Sequence, residues 1–197
     1  MEVLRAALQL LRATEGPVLS DFGREAPSSA DGEEESWACA LPLPPQAADS
    51  DPGAALRARL QDEIRLLRPW YDEGRRGTGR TSVGLSGLGP EAIESMGDVM
   101  ATVATGGEPL APQGATPPMP MLLRYIADDL KAYYFEAATA QPGARRPTAP
   151  ELNRWLFRET AFGDILYAAR DAVLARPEPA QQLPGRFFVP AAFARRA

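Results

Sequence analysis

The chain has 197 residues, a formal net charge of −5 and no histidine. Because histidine is the commonest metal ligand and titrates near neutral pH, its absence excludes Ser-His and Cys-His nucleophile pairs and zinc sites built on imidazole. The chain also lacks the basic segment that nucleic-acid binders need and an apolar run long enough to span a membrane.

The charge is distributed unevenly. Residues 1–53 carry 3 basic and 10 acidic residues, whereas residues 54–197 carry 18 basic and 16 acidic ones. The single cysteine, Cys39, cannot form an internal disulfide, and the N-terminus lacks the basic start and unbroken apolar stretch of a secretion signal. We expect a cytoplasmic protein with no cofactor, metal, nucleic acid or membrane partner, which is either a monomer or a homo-oligomer.

A short helix is predicted at the N-terminus. Leu4, Leu8 and Leu11 recur at helical spacing within residues 2–14, and Gly16-Pro17 ends the pattern. The predicted division of the chain is an N-terminal helix in residues 1–24, a flexible segment in residues 25–50 and a helical core domain in residues 51–197.

The segment 25–50 is acidic, proline-rich and aperiodic, which is typical of a disordered or extended chain. The apolar pentad 37–41 interrupts it. This pentad is either a docking motif for a partner or a patch folded back on its own domain, and we favour the second. Cys39 lies near the run Glu33–Glu35, whose charge disfavours a thiolate nucleophile.

The second helix is predicted to begin with Asp51 as its N-cap and Pro52 at its first position. Its apolar stripe runs from Leu56 to Leu67, and Pro69 breaks the pattern. A polar, glycine-rich stretch follows over residues 73–89, with a short extended stretch at 81–85.

Three further helices are predicted in the second half of the chain. One begins at Pro90 and ends at Gly106-Gly107; another covers residues 120–140. The last covers residues 149–175 and begins with a capping box formed by Thr148 and Glu151. The aromatic C-terminal segment is expected to pack on the bundle as a latch. The predicted fold is all-α, an irregular bundle of about five helices with long Pro/Gly-rich connections, whose core is built mainly by the third to fifth helices.

One candidate site is the segment 74–81. It has the spacing of a phosphate-binding loop, but with arginine in place of lysine and without the strand before it and helix after it that such a loop requires. A weaker interpretation is an anion contact made by Arg75, Arg76 and Arg80, because arginine presents a planar fork to phosphate or carboxylate. A plain flexible connection is the alternative.

Glu159 is a second candidate. In a continuous last helix it shares a stripe with Trp155 and Phe162, which places a carboxylate on an apolar face. A buried carboxylate must be paired or protonated. We expect a structural ion pair with an arginine or Lys131, and the alternative is a general acid/base or ligand-recognition group.

A third candidate is the acidic edge of the 120–140 helix, formed by Asp129, Tyr133 and Glu136. With Glu159 and Trp155 these residues make a candidate ligand pocket, and the side-chain oxygens of the first three with the Glu159 carboxylate could hold magnesium. An ordinary solvated helix edge is the interpretation we favour. Lys131 is a poor Schiff-base candidate, since its acidic neighbours raise its pKa.

Two functional hypotheses follow. The first is a non-catalytic accessory or adaptor subunit that binds a partner protein through exposed aromatic residues, namely Trp37, Phe187 and Phe188. The second is a small-molecule-binding protein, or an enzyme using carboxylates, with a pocket between the last two helices. The poor catalytic inventory favours the first.

Overall fold

The computed structural model describes residues 2–14, 16, 20–23, 37, 51–143 and 145–194. The described residues form helices and connecting loops, and no strand occurs among them, so the all-α prediction is confirmed. The chain divides into two units, Met1–Glu35 and Ser36–Ala197. Most of the 25–50 segment, including Cys39, lies outside the described residues.

The first unit contains α1 (Glu2–Leu10). The second unit contains α2 (Pro52–Thr78), α3 (Ile93–Ala104), α4 (Met119–Ala140), α5 (Ala149–Glu159), α6 (Ala161–Leu174), α7 (Pro179–Gln182) and α8 (Gly185–Phe188), with 3-10 turns at Pro90–Ala92 and Ala191–Phe193. Within the described ranges, each helix is too short or too polar to cross a lipid bilayer.

Both predicted helix caps are present. The Asp51 carboxylate accepts a hydrogen bond from the Gly53 amide at 2.9 Å, with Pro52 at the first helical position of α2. Thr148 and Glu151 form the capping box of α5, in which the Thr148 amide donates to the Glu151 carboxylate at 2.8 Å. Local sequence signals therefore fix where α2 and α5 begin.

The sequence marks a break in the apolar pattern at Pro69, but α2 continues through it to Thr78. Tyr71, two residues beyond Pro69, is fully buried, and its ring centroid lies 4.7 Å from that of Tyr133. An ion pair between Arg68 and Asp72 spans the proline. Burying the Tyr71 ring outweighs the backbone hydrogen bond that proline removes.

The core was expected to be built mainly by the third to fifth helices, but α2 also contributes to it substantially. It packs against α3, α4 and α6. Four of its apolar side chains are buried: Leu60, Ile64, Leu67 and Tyr71.

The predicted continuous helix over 149–175 is wrong, since it is divided at Thr160 into α5 and α6. Thr160 has extended backbone angles, and its hydroxyl accepts from the Gly163 amide while donating to the Leu156 carbonyl. The break changes the register of the stripe. The prediction that Glu159 is buried is therefore also wrong, because its side chain is exposed.

The C-terminal segment packs on the bundle as predicted. Phe188 is fully buried, and Phe193 stacks on Phe157 with ring centroids 5.2 Å apart. The Lys131 ammonium donates to the Phe187 carbonyl at 2.9 Å and ties this segment to α4. The prediction that Phe188 is an exposed partner contact is wrong, because its ring belongs to the core.

Candidate functional site

Asp129 does not lie on a solvated edge as we expected. Its carboxylate is buried and accepts four hydrogen bonds, from the amides of Gly84, Leu85 and Ser86 at 2.8–3.0 Å and from the Ser86 hydroxyl at 2.5 Å. Three successive amides around one carboxylate form an anion-binding concavity. Here the anion is the protein's own side chain, so Asp129 fastens the loop after α2 to α4.

Glu136 fastens the same loop seven residues further along α4. Its carboxylate accepts from the Thr81 hydroxyl at 2.8 Å and from the Ser82 amide at 2.6 Å. The Tyr71 and Thr81 hydroxyls are also hydrogen-bonded, at 2.7 Å. The acidic edge predicted from the sequence therefore attaches the loop after α2 to α4.

Two tyrosines of α4, Tyr133 and Tyr134, are likewise engaged in the core. The Tyr133 hydroxyl donates to the Ile64 carbonyl at 2.6 Å, and burial raises its pKa well above the ordinary range. The Tyr134 hydroxyl donates to the Glu63 carboxylate at 2.9 Å. Both phenols are thus held in the neutral form as donors.

Glu63 is the buried carboxylate that sequence reasoning missed. It is fully buried and accepts three hydrogen bonds, from the Ala161 amide at 2.6 Å, the Phe162 amide at 3.1 Å and the Tyr134 hydroxyl. It therefore caps the start of α6 from the middle of α2. A signal was available, because Glu63 stands three residues after Leu60 and four before Leu67, on the apolar stripe.

The candidate pocket of Asp129, Tyr133, Glu136, Trp155 and Glu159 is not brought together. Asp129 and Tyr133 are enclosed in the core with their polar atoms satisfied. Trp155 is buried, and Glu159 is exposed. Of these five residues, Glu136 lines an open cleft.

The phosphate-loop interpretation of 74–81 is wrong. Residues 74–78 form the last turns of α2, and Gly79 ends the helix in a left-handed conformation with φ of 69°. The guanidinium of Arg75 lies over the Tyr71 ring at 5.8 Å, and Arg76 pairs with Glu73. The three arginines therefore do not converge as one anion site, but Arg80 lines the open cleft.

This cleft, which we call the α2–α4 cleft, has a volume of about 960 Å³. It lies between the C-terminal ends of α2 and α4, with the segment before α5 as its third side. Its lining residues are Glu73, Gly74, Gly77, Thr78, Arg80, Thr81, Ser82, Glu136, Thr139, Ala140, Arg146 and Pro147.

The three aromatic residues predicted to contact a partner differ in how far the structure leaves them exposed. Trp37 packs edge-on against Trp155 with ring centroids 6.0 Å apart, as expected for a pentad folded back on its domain. Phe187 is 43% exposed, and the Arg124 guanidinium lies 4.0 Å from its ring centroid. Phe187 is thus the predicted contact whose ring is accessible to a partner.

Lys131 differs from its expected electrostatics. Burial lowers its pKa, and the nearby Asp128 carboxylate opposes that shift. Its ammonium donates to Asp128 at 3.1 Å as well as to the Phe187 carbonyl. Its polar contacts make it an anchor for the C-terminal segment.

Across the described part of the chain, no cluster of three or more Asp, Glu or Cys side chains is placed to hold a metal ion. Comparison of the chain with protein-family models, with curated proteins and with solved structures returned no match.

Proposed function

We propose that the protein is a non-catalytic adaptor and that α1 is the segment that binds its partner protein. The observation that carries this proposal is a face of five exposed apolar side chains, which we call the leucine face. Their exposed fractions are 60% for Val3, 62% for Leu4, 62% for Leu8, 41% for Leu10 and 80% for Leu11.

Helix α1 has nine residues, and none of its side chains is buried. An isolated helix of this length is marginal in water, so its helical form needs a surface that covers the apolar side. Leucines at positions i, i+4 and i+7 are the anchors of helices that bind in a groove of another protein. Leu4 and Leu8 of α1, with Leu11 in the turn that follows it, have this spacing.

The length of α1 argues against a second copy as the occupant of this face. A coiled coil requires three to four heptads, and α1 supplies little more than one. A groove surrounds a single helix and buries more of each side chain than another short helix does. We therefore propose a groove on a different protein.

The charges next to the leucine face specify the groove further. Arg5 and Arg12 are seven residues apart and so share the edge beside Leu8. A groove with acidic residues along its rim would complement the charges of these two arginines. A lipid surface is disfavoured, because residues 1–53 carry 10 acidic and 3 basic residues and are repelled by anionic headgroups. The single cysteine supports our placement of the protein in the cytoplasm.

The first prediction concerns Leu8. A photo-crosslinking residue at position 4 of the full-length protein, expressed in its native host, identifies the partner, which is then purified. Leu8→Asp is expected to weaken binding of that partner at least about tenfold, because a buried leucine contributes about 1.5–3 kcal/mol and charge burial adds to the loss. Isothermal titration calorimetry measures the affinity.

Gln9→Asp is the matched control, because it adds the same charge at the next position on the polar side of α1. It is expected to change the affinity less than about threefold, as rim charges contribute little. The proposal is wrong if Leu8→Asp leaves the affinity unchanged. It is also wrong if Leu8→Asp abolishes self-association in sedimentation experiments or binding to phosphatidylcholine–phosphatidylserine vesicles, with no partner protein involved.

A further inference from the structure

Gly77 stands in α2 at a position where the fold does not require a glycine. A Cβ atom added to Gly77 would meet no atom within 4 Å, and its φ is not positive. One turn earlier, Gly74 does have a packing reason, since its added Cβ would lie 3.0 Å from the Ala140 Cβ. Glycine weakens a helix relative to alanine, so Gly77 calls for another explanation. One such explanation is that a ligand approaches the backbone closely at this position, where a side chain would block it.

Two arginines line the same cleft. Arg80 and Arg146 are exposed, and neither forms an ion pair with a carboxylate in the described part of the chain. By contrast, Arg76 pairs with Glu73, which lines the cleft. A guanidinium presents a fork of donors that matches the oxygens of a phosphate.

The other wall of the cleft is rich in acceptors. The last carbonyls of a helix lack partners within the helix and carry its negative dipole end. Thr78 ends α2, and Ala140 ends α4, so both lines of carbonyls finish at the cleft. Glu73 and Glu136 add carboxylates, of which Glu136 already accepts from Thr81 and Ser82. This wall repels a simple anion but accepts hydrogen bonds from hydroxyl groups.

We propose that the α2–α4 cleft binds a small hydroxylated phosphate, with its phosphate on Arg80 and Arg146 and its hydroxyls on the acceptor wall beside Gly77. The volume of about 960 Å³ is ample for such a ligand. This site lies apart from α1 and does not depend on the adaptor proposal.

Calorimetric titration of the full-length protein with ribose 5-phosphate, ribose and inorganic phosphate tests the proposal. Ribose 5-phosphate is expected to bind with submillimolar affinity. Inorganic phosphate is expected to bind at least about tenfold more weakly, because it lacks the sugar hydroxyls that donate to the acceptor wall. Ribose alone is expected to give no measurable heat. No binding of ribose 5-phosphate at 10 mM (roughly the weakest affinity of interest), or equal binding of inorganic phosphate, overturns the proposal.

Three variants locate the binding site. Arg80→Ala and Arg146→Ala are each expected to lower the affinity for ribose 5-phosphate at least about tenfold, whereas Arg65→Ala, earlier on α2 and not among the residues that line the cleft, leaves it unchanged. Gly77→Gln fills the cleft and is expected to abolish binding while raising the melting temperature by about 2 °C, because glutamine is the better helix former. Binding retained in Gly77→Gln overturns the proposal, and the higher melting temperature shows that the variant is folded.

Discussion

Glu63→Gln is expected to lower the free energy of unfolding by about 3 kcal/mol. The two carboxylate oxygens of Glu63 accept from the Ala161 amide, the Phe162 amide and the Tyr134 hydroxyl. The amide of glutamine has a single carbonyl oxygen and directs N–H groups at donors. At least one buried donor is then left without an acceptor.

Asp62→Asn provides the control for this variant. Asp62 is the preceding residue, and it forms a partly exposed ion pair with Arg65 at 3.1 Å. Its loss is expected to cost less than about 1 kcal/mol. Urea unfolding followed by circular dichroism measures both variants. Equal effects of the two substitutions would show that Glu63 does not cap α6.

The stability difference between the wild-type protein and Glu63→Gln is expected to shrink as the pH rises above about 4.5. Burial raises the pKa of the Glu63 carboxyl above its ordinary value of 4.5, and its hydrogen bonds and the charge of Arg59 oppose part of that rise. Between the unfolded and folded pKa values the folded state binds more protons than the unfolded state, so its stability falls with rising pH.

Urea unfolding of both proteins from pH 4 to pH 8 measures this difference, starting below the ordinary glutamate pKa. The chain contains no histidine, so no imidazole titrates in this interval. A difference that widens with rising pH would mean that the hydrogen bonds to Glu63 lower its pKa by more than burial raises it.

Asp129→Ala is expected to lower the free energy of unfolding by about 3 kcal/mol, since it removes a buried carboxylate that accepts four hydrogen bonds. The amides it leaves behind belong to a loop flanked by two buried apolar residues, Val83 and Leu88. We expect the loop to separate from α4. Urea unfolding gives the stability, and hydrogen exchange at Gly84–Ser86 reports the loop.

Asp128→Asn is the matched control for this substitution. Asp128 is adjacent on α4, but its side chain is 33% exposed and pairs with Lys131. Its replacement is expected to cost less than that of Asp129, which accepts four hydrogen bonds, and to leave hydrogen exchange in the loop unchanged. Slow exchange of the Ser86 amide in Asp129→Ala would show that other contacts hold the loop.

Local patterns predicted the helical class and several helix ends. Asp51, Thr148 and Glu151 act within one turn of their own position, so their roles can be inferred from neighbouring residues alone. The helix over 120–140 was predicted for a similar reason, because its apolar residues keep one register without interruption and α4 covers Met119–Ala140.

Features that depend on distant contacts were not predicted. The apolar pattern continues across Thr160 as if the helix did, because the group that compensates the break, Glu63, lies about a hundred residues earlier. The extension of α2 past Pro69 depends similarly on Tyr133. For the same reason the buried acid was assigned to Glu159, although Glu63 and Asp129 both stand on apolar stripes.

The position of Glu63 has a consequence for how the second unit unfolds. This single side chain joins α2 to α4 through Tyr134 and to α6 through Ala161, so three helices far apart in sequence share one set of hydrogen bonds. Detaching α4 removes the Tyr134 hydroxyl from Glu63, and detaching α6 removes the two backbone amides. We therefore expect α2, α4 and α6 to open together, and not one at a time, in hydrogen-exchange experiments.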